Sequence, residues 1–258
     1  IMGCLHNPTS GRELIWKPGA PERAPTARRV VVVGGGPAGM EAAIVAASRG
    51  HRVVLFEAAR ALGGQVRTAA LAPHRTEIDG VVAWRASELK RLGVELRLGT
   101  RADEASVRAE APDAVVIATG ARCAPAPIEG GDAPHVIDVM RALDPDPETR
   151  VRLERARTAV VVDNGSGFWE TCSVAEALAT RGLAVHYLTP VRAFAEGLPF
   201  EAAPPLLARL RGLGVALLPM HRVAWIDETG VTAFDAVASA ATGVLKDLLL
   251  PADIVVYY

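Results

Sequence analysis

Long apolar runs are missing from this chain: nowhere does it reach the roughly 18 to 20 consecutive apolar residues of a membrane-spanning helix. It also lacks the basic segment and apolar stretch that open a secretory signal. Neither charge is in excess. Lys and Arg number 28 against 29 Asp and Glu, for a formal net charge of −1, which gives no electrostatic reason to expect nucleic acid or an anionic membrane as partner. Aromatic residues make up only 5%, so the core is expected to rest on Val, Leu and Ala. Cysteine is scarce: Cys4, Cys123 and Cys172 are odd in number and scattered. That argues against a disulfide scaffold and makes a reducing cytoplasm the expected setting. The histidines show no H-E-x-x-H spacing, and no Ser-His-Asp order, P-loop or zinc pattern is present. No catalytic acid–base set is expected within the chain.

What is present is a globular composition, 258 residues and 50% hydrophobic, enough for one large domain or two smaller ones. Residues 1–28 are rich in Pro and Gly without periodicity and read as a tail or linker. "RRVVVV", "GGGPAGMEAAIVAASRG" and "HRVVLFE" then follow as strand, turn with helix, and strand, a βαβ unit that implies a parallel sheet. Residues 76–92 carry helical periodicity, and "GVELRLG" and "DAVVIATG" read as further strands. A second βαβ begins near Thr158 with "TAVVVD", a helix after Gly167, and "LAVHYLT". A helix over about 201–211, a strand "GVALLP" and a meander follow. The closing "PADIVVYY" is again a strand, on which a finished domain rarely ends, so a longer polypeptide is expected.

Gly34, Gly36 and Gly39 with Pro37 and Ala38 fit G-x-G-x-x-G between a strand and a helix, the context a dinucleotide turn requires. Gly34 permits the tight turn, Gly36 leaves room for a pyrophosphate, and Gly39 lets helix and strand pack closely. The helix N-terminus supplies N–H groups and a positive dipole end. Glu57 closes the second strand, where its carboxylate can accept hydrogen bonds from ribose hydroxyls and disfavours a 2′-phosphate.

"LGGQ" (62–65) follows Glu57, and Thr119-Gly120 end a later strand. With these, residues 30–121 resemble the flavoproteins built from two dinucleotide-binding domains. The resemblance implies that Ala58, Gly64 and Gln65 lie along a bound FAD or ADP, with Thr119 and Gly120 beside it. The tail "GCLHNPTSGRE" carries a narrower resemblance, to the NADH:flavin oxidoreductase family of 2,4-dienoyl-CoA reductase and trimethylamine dehydrogenase. There an FMN-bearing TIM barrel leads into four cysteines that ligate a [4Fe-4S] cluster, the last followed by two residues and Asn-Pro. Cys4, Asn7 and Pro8 are similar to that pattern. The resemblance implies that Cys4 is a cluster ligand and that the barrel, as domain or subunit, lies outside this chain. It also implies that a small-molecule substrate binds elsewhere and that the protein is an oligomer. One thiolate by itself cannot hold a cluster.

"VVVDNGSGFWETCS" (160–173) is the weaker copy of the first turn. Matching the turns puts Glu170 on Gly39. Matching the helix ends, Arg49-Gly50 with Arg181-Gly182, puts Ser166, Phe168 and Thr171 on the three glycines. Both registers disfavour a dinucleotide. Thr189 stands where Glu57 offers its carboxylate, while Arg192 could meet a 2′-phosphate.

The expected fold is α/β with two Rossmann-like lobes, the second inserted in the first: a tail at 1–28, an FAD- or ADP-binding lobe at 29–156 plus 246–258, and a degenerate NAD(P)-type lobe at 157–245. The expected function is the electron-transfer part of an FMN and iron–sulfur oxidoreductase, acting on an amine or N-methyl-betaine. Two alternatives stay open: an NAD(P)H-dependent flavin reductase part of an enoate reductase, and a non-redox nucleotide-binding scaffold.

Overall fold

A computed structural model describes residues 4–16, 21–242 and 247–258. The described chain divides into two compact units, one holding the residues up to Ala70 and Arg75–Ala121, the other Leu71–His74 and Arg122–Tyr258. Parts of the expected tail (1–3 and 17–20) and the expected boundary at 245/246 lie outside the described residues. No helix among those described is long and apolar enough to cross a membrane.

The first unit opens with β1 (Arg29–Val33), α1 (Pro37–Ser48) and β2 (Arg52–Phe56). It continues through α2 (Gln65–Ala69), a 3-10 turn at Thr76–Asp79, and α3 (Gly80–Arg91). β3 (Glu95–Arg97), α4 (Glu104–Ala109) and β4 (Ala114–Ile117) complete it. The four strands are parallel in the order β3-β2-β1-β4. The β-branched run of β1 suits a strand covered on both faces. Val30, Val32, Val53 and Leu55 pack with Met40, Ile44 and Leu89 of the two long helices, while Val31, Val54 and Phe56 face Val107 of α4. Each such buried side chain contributes about 1.5–3 kcal/mol. Among the described residues β4 pairs only with β1, and its Val115 and Ile117 are 42% and 70% exposed.

The second unit begins with β5 (Val136–Asp138), α5 (Val139–Leu143) and α6 (Pro147–Arg155). β6 (Thr158–Val162), α7 (Trp169–Thr180), β7 (Ala184–Thr189), α8 (Ala203–Gly212) and β8 (Ala216–Pro219) follow. Then come β9 (His221–Asp227), β10 (Gly230–Asp235), α9 (Ala236–Thr242), β11 (Asp247–Pro251) and β12 (Ile254–Tyr257). A parallel sheet runs β5-β12-β6-β7-β8. One face packs Val161, Val185 and Val256 against Val174, Leu178, Leu206 and Leu210 of α7 and α8. The other packs Val160, Leu188 and Val255 against Ile226, Val231 and Leu250 of an antiparallel β9-β10-β11 sheet.

The lobe boundaries differ from the sequence expectation. Residues 122–156 and 247–258, assigned above to the first lobe, belong to the second unit. The cause is strand pairing: β12 lies between β5 and β6, with Val255 opposite Val136 on one side and Val160 on the other. Ile254, Val255 and Val256 are at most 1% exposed there, a burial that no edge position would give them.

Candidate nucleotide site

The three glycines of the first turn play two different parts. A Cβ on Gly34, whose φ is +110°, would lie 2.2 Å from the Ala118 carbonyl oxygen, and one on Gly39 would lie 1.9 Å from the Gly34 carbonyl oxygen. Backbone occupies both places, so these positions are glycine because α1 sits tight against the ends of β1 and β4. Gly36 is different. It is the N-cap of α1 in an extended conformation (φ −72°, ψ 174°) that any residue adopts, and a Cβ there would meet nothing within 4 Å. The protein's own packing does not require a glycine at 36. Its bare Cα keeps open the space before the helix, where the first-turn N–H groups of Ala38 and Gly39 have no intrahelical acceptor and Pro37 has none to offer.

The other predicted residues converge on that space. The Gly63 N–H donates to the Gly35 carbonyl at 2.8 Å, which brings the Gly-Gly turn across the first. A Cβ on Gly64 would sit 3.2 Å from Gly36 Cα. Glu57 is half-buried, and its carboxylate accepts the Gly35 N–H at 2.6 Å and the Ala59 N–H at 2.7 Å. Two backbone donors fix its direction and leave lone pairs for hydroxyl donors beyond exposed Ala58. Gln65 Nε2 donates to the Ala121 carbonyl at 2.8 Å, tying the start of α2 to the segment after β4. Thr119 and Gly120 on that segment are exposed, with Thr119 Cα against the back of Gly34. All eleven predicted residues of the first lobe thus gather at the C-terminal edge of one parallel sheet, the edge at which open α/β sheets bind ligands.

Cys4 stands apart. All three cysteines are free, with Cys4 exposed and Cys172 buried. Burial pushes the Cys172 thiol from 9.0 up to about 11, and burial followed by the Asp138 carboxylate pushes Cys123 upward. Neither is a thiolate near neutral pH. Among the described residues no group of three or more His, Cys, Asp and Glu could hold a metal ion.

The second unit repeats the βαβ with a longer turn. α1 and α7 both run 12 residues and end on αR caps, Arg49 and Arg181, followed by Gly50 and Gly182 with φ of +91° each. The helix-end register therefore holds. Phe168 is the N-cap of α7 as Gly36 is of α1, and the turn from Val162 to Trp169 absorbs the extra length. Thr171 takes the place of Gly39; it is buried, with its Oγ1 2.8 Å from the Tyr187 hydroxyl. Phe168 is 42% exposed at the mouth. The Tyr258 phenol is pushed up, first by burial and then by the Glu170 carboxylate beside it. Sequence reasoning missed Asp163, the first residue after β6. It is 2% exposed and accepts a 2.8 Å hydrogen bond from Thr189 Oγ1. Its signal was visible: a carboxylate as the first residue after the strand, where counting from the strand end gives Gly34 in the first turn.

The sequence profile of the family described as pyridine nucleotide-disulphide oxidoreductase matches residues 28–258. The chain is 35% identical over 243 residues to a probable N-methylproline demethylase of Rhizobium meliloti, an alignment covering 94% of this chain and 34% of that protein. It is 56% identical over 119 residues to an N,N-dimethylglycine/sarcosine dehydrogenase of Chromohalobacter salexigens, covering 45% of this chain and 17% of that protein. Among solved structures, a 2-naphthoyl-CoA reductase in complex with 2-naphthoyl-CoA superposes with a TM-score of 0.86 at 30% identity, covering 100% of this chain and 36% of that one. The chain thus spans about a third or less of the length of these proteins.

Proposed function

Because the chain belongs to the pyridine nucleotide-disulphide oxidoreductase family and, within it, to the NADH:flavin oxidoreductase and trimethylamine dehydrogenase group, we propose that it is the nucleotide-binding electron-transfer part of a larger flavin-dependent amine or N-methyl-betaine dehydrogenase. FAD or ADP would lie on Gly34, Gly36, Pro37, Ala38 and Gly39, with its ribose on Glu57 and its length along Ala58, Gly64, Gln65, Thr119 and Gly120. The observation that carries this reading is Gly36: an unstrained position with no protein neighbour for a Cβ, in front of a helix N-terminus. The demethylase and dehydrogenase relatives favour an amine substrate, bound on a part of the protein other than this chain.

Bound FAD would supply a two-electron store, and ADP only a structural tie. This chain's contribution is to hold the pyrophosphate on backbone N–H groups, to fix the ribose through Glu57, and to refuse a 2′-phosphate by like charge. Cys4 alone does not fit a cluster, so three further thiolates would have to come from outside the described residues. FMN, the barrel that carries it, an oligomeric assembly and a cytoplasmic setting belong to this proposal.

Heat denaturation of the purified chain followed by chromatography of the released nucleotide tests it. One equivalent of FAD or ADP is expected; neither nucleotide, with no binding of either on addition, overturns it. A second reading, an NAD(P)H-dependent flavin reductase part, draws support from the naphthoyl-CoA reductase superposition. It requires NADPH to bleach a bound flavin.

A further inference from the structure

Three backbone donors of the second turn are taken up within the turn itself. The Ser166 N–H donates to Asn164 Oδ1 at 3.0 Å, the Gly167 N–H to the two Asp163 oxygens at 3.2 and 3.4 Å, and the Phe168 N–H to Ser166 Oγ at 3.4 Å. The longer of these are individually weak, but Asp163 also draws in Ser166 Oγ at 3.1 Å and Thr189 Oγ1 at 2.8 Å. At 2% exposure the Asp163 side chain depends on such donors to replace the water it has lost. Successive backbone N–H groups in a βα turn are the donors that ordinarily cradle a phosphate. In the first turn the Gly35 N–H goes to Glu57, a residue of the neighbouring strand end, and the space before Gly36 stays open. In the second turn the carboxylate rises from the strand beneath and closes on the turn itself.

We propose that the second turn is an anion nest already filled by the chain's own Asp163 carboxylate, which takes the Gly167 N–H and the Ser166 and Thr189 hydroxyls and refuses a pyrophosphate by like charge. Glu170 places a second acidic side chain in the first turn of α7. Phe168 would obstruct a whole dinucleotide, so the ligand class that an emptied nest admits is a small di- or monophosphate. The lobe has thus become a self-ligated support rather than a vacant nicotinamide site. This inference does not depend on what the first turn binds.

The experiment titrates inorganic pyrophosphate into nucleotide-stripped protein labelled with 15N-glycine, and reads which turn responds. In the unmodified chain the Gly165 and Gly167 amides should stay still. In Asp163→Ser they should shift, with an apparent affinity at that turn at least about tenfold above the unmodified chain. Movement of Gly167 in the unmodified chain, or none in folded Asp163→Ser, overturns the proposal. Should Asp163→Ser fail to fold, Asp163→Asn keeps the volume, drops the charge and is read the same way. The Gly34–Gly36 signals report separately on the first turn, so their silence would count against the proposed function and leave this inference standing.

Discussion

Replacing Gly36 by Val separates binding from folding more cleanly than any other change in the first turn. Its φ of −72° and ψ of 174° suit a β-branched residue, and a Cβ meets nothing within 4 Å. Losing glycine at an N-cap costs up to about 1 kcal/mol. The stiffer unfolded chain returns about 0.4–1 kcal/mol. Net stability should therefore move by less than about 1 kcal/mol, a few degrees in Tm at most. The valine methyls would fill the space before α1 and push a pyrophosphate off at least two N–H groups. Each hydrogen bond to a charged acceptor contributes about 1.5–3 kcal/mol. Losing two weakens nucleotide binding about 10²- to 10⁴-fold. Gly39→Ala is the contrasting control: its Cβ would stand 1.9 Å from the Gly34 carbonyl oxygen, so strain of about 1–3 kcal/mol or more should lower Tm as well as binding. The assay pairs a thermal melt with the nucleotide content of the heat-released supernatant. A Gly36→Val protein that still carries a full equivalent of nucleotide, or that melts as early as Gly39→Ala, would refute the reasoning.

Cys172 makes stability fall with alkali. Its folded pKa of about 11 lies above the ordinary 9.0, so its contribution is complete below pH 9 and is lost as pH rises from 9 to about 11. Urea midpoints should decline across that window and decline less in Cys172→Ala; equal slopes would contradict the burial. Iodoacetamide followed by mass spectrometry should modify exposed Cys4 first and Cys172 only after unfolding. In α7, Glu176 is 3% exposed and pairs with Arg209 of α8 through Nε–Oε1 and Nη2–Oε2 contacts of 2.5 and 3.2 Å. Arg209→Ala should cost about 1–3 kcal/mol in chemical denaturation, since it leaves the buried carboxylate with His74 Nε2 at 3.8 Å, and the double change Glu176→Gln, Arg209→Met should recover most of it.

The first lobe was legible because its sequence pattern is enforced by local sterics. Where a Cβ would lie 2.2 Å from the Ala118 carbonyl oxygen or 1.9 Å from the Gly34 carbonyl oxygen, positions 34 and 39 must be glycine, and such constraints leave their mark on neighbouring positions in the chain. The repeat in the second lobe was legible for the same reason, through the shared Arg-Gly helix end. Asp163 was harder to see, since its partner Thr189 is brought to it by the parallel pairing of β6 and β7. The lobe boundary was hidden because an apolar run such as "DIVVYY" fits any buried parallel strand. Its choice of β5 and β6 as neighbours rests on contacts over 90 residues apart in the chain, of which the run itself carries no trace.

The free edge of β4 has a practical consequence for handling the protein. Its four residues, which pair on one side only among the described residues and carry a largely exposed isoleucine, form a short template onto which another extended segment can hydrogen-bond. Concentrated solutions of this chain should therefore scatter light well before either hydrophobic core opens. A charged residue in place of Ile117 should raise the concentration at which that begins, with the melting temperature unchanged.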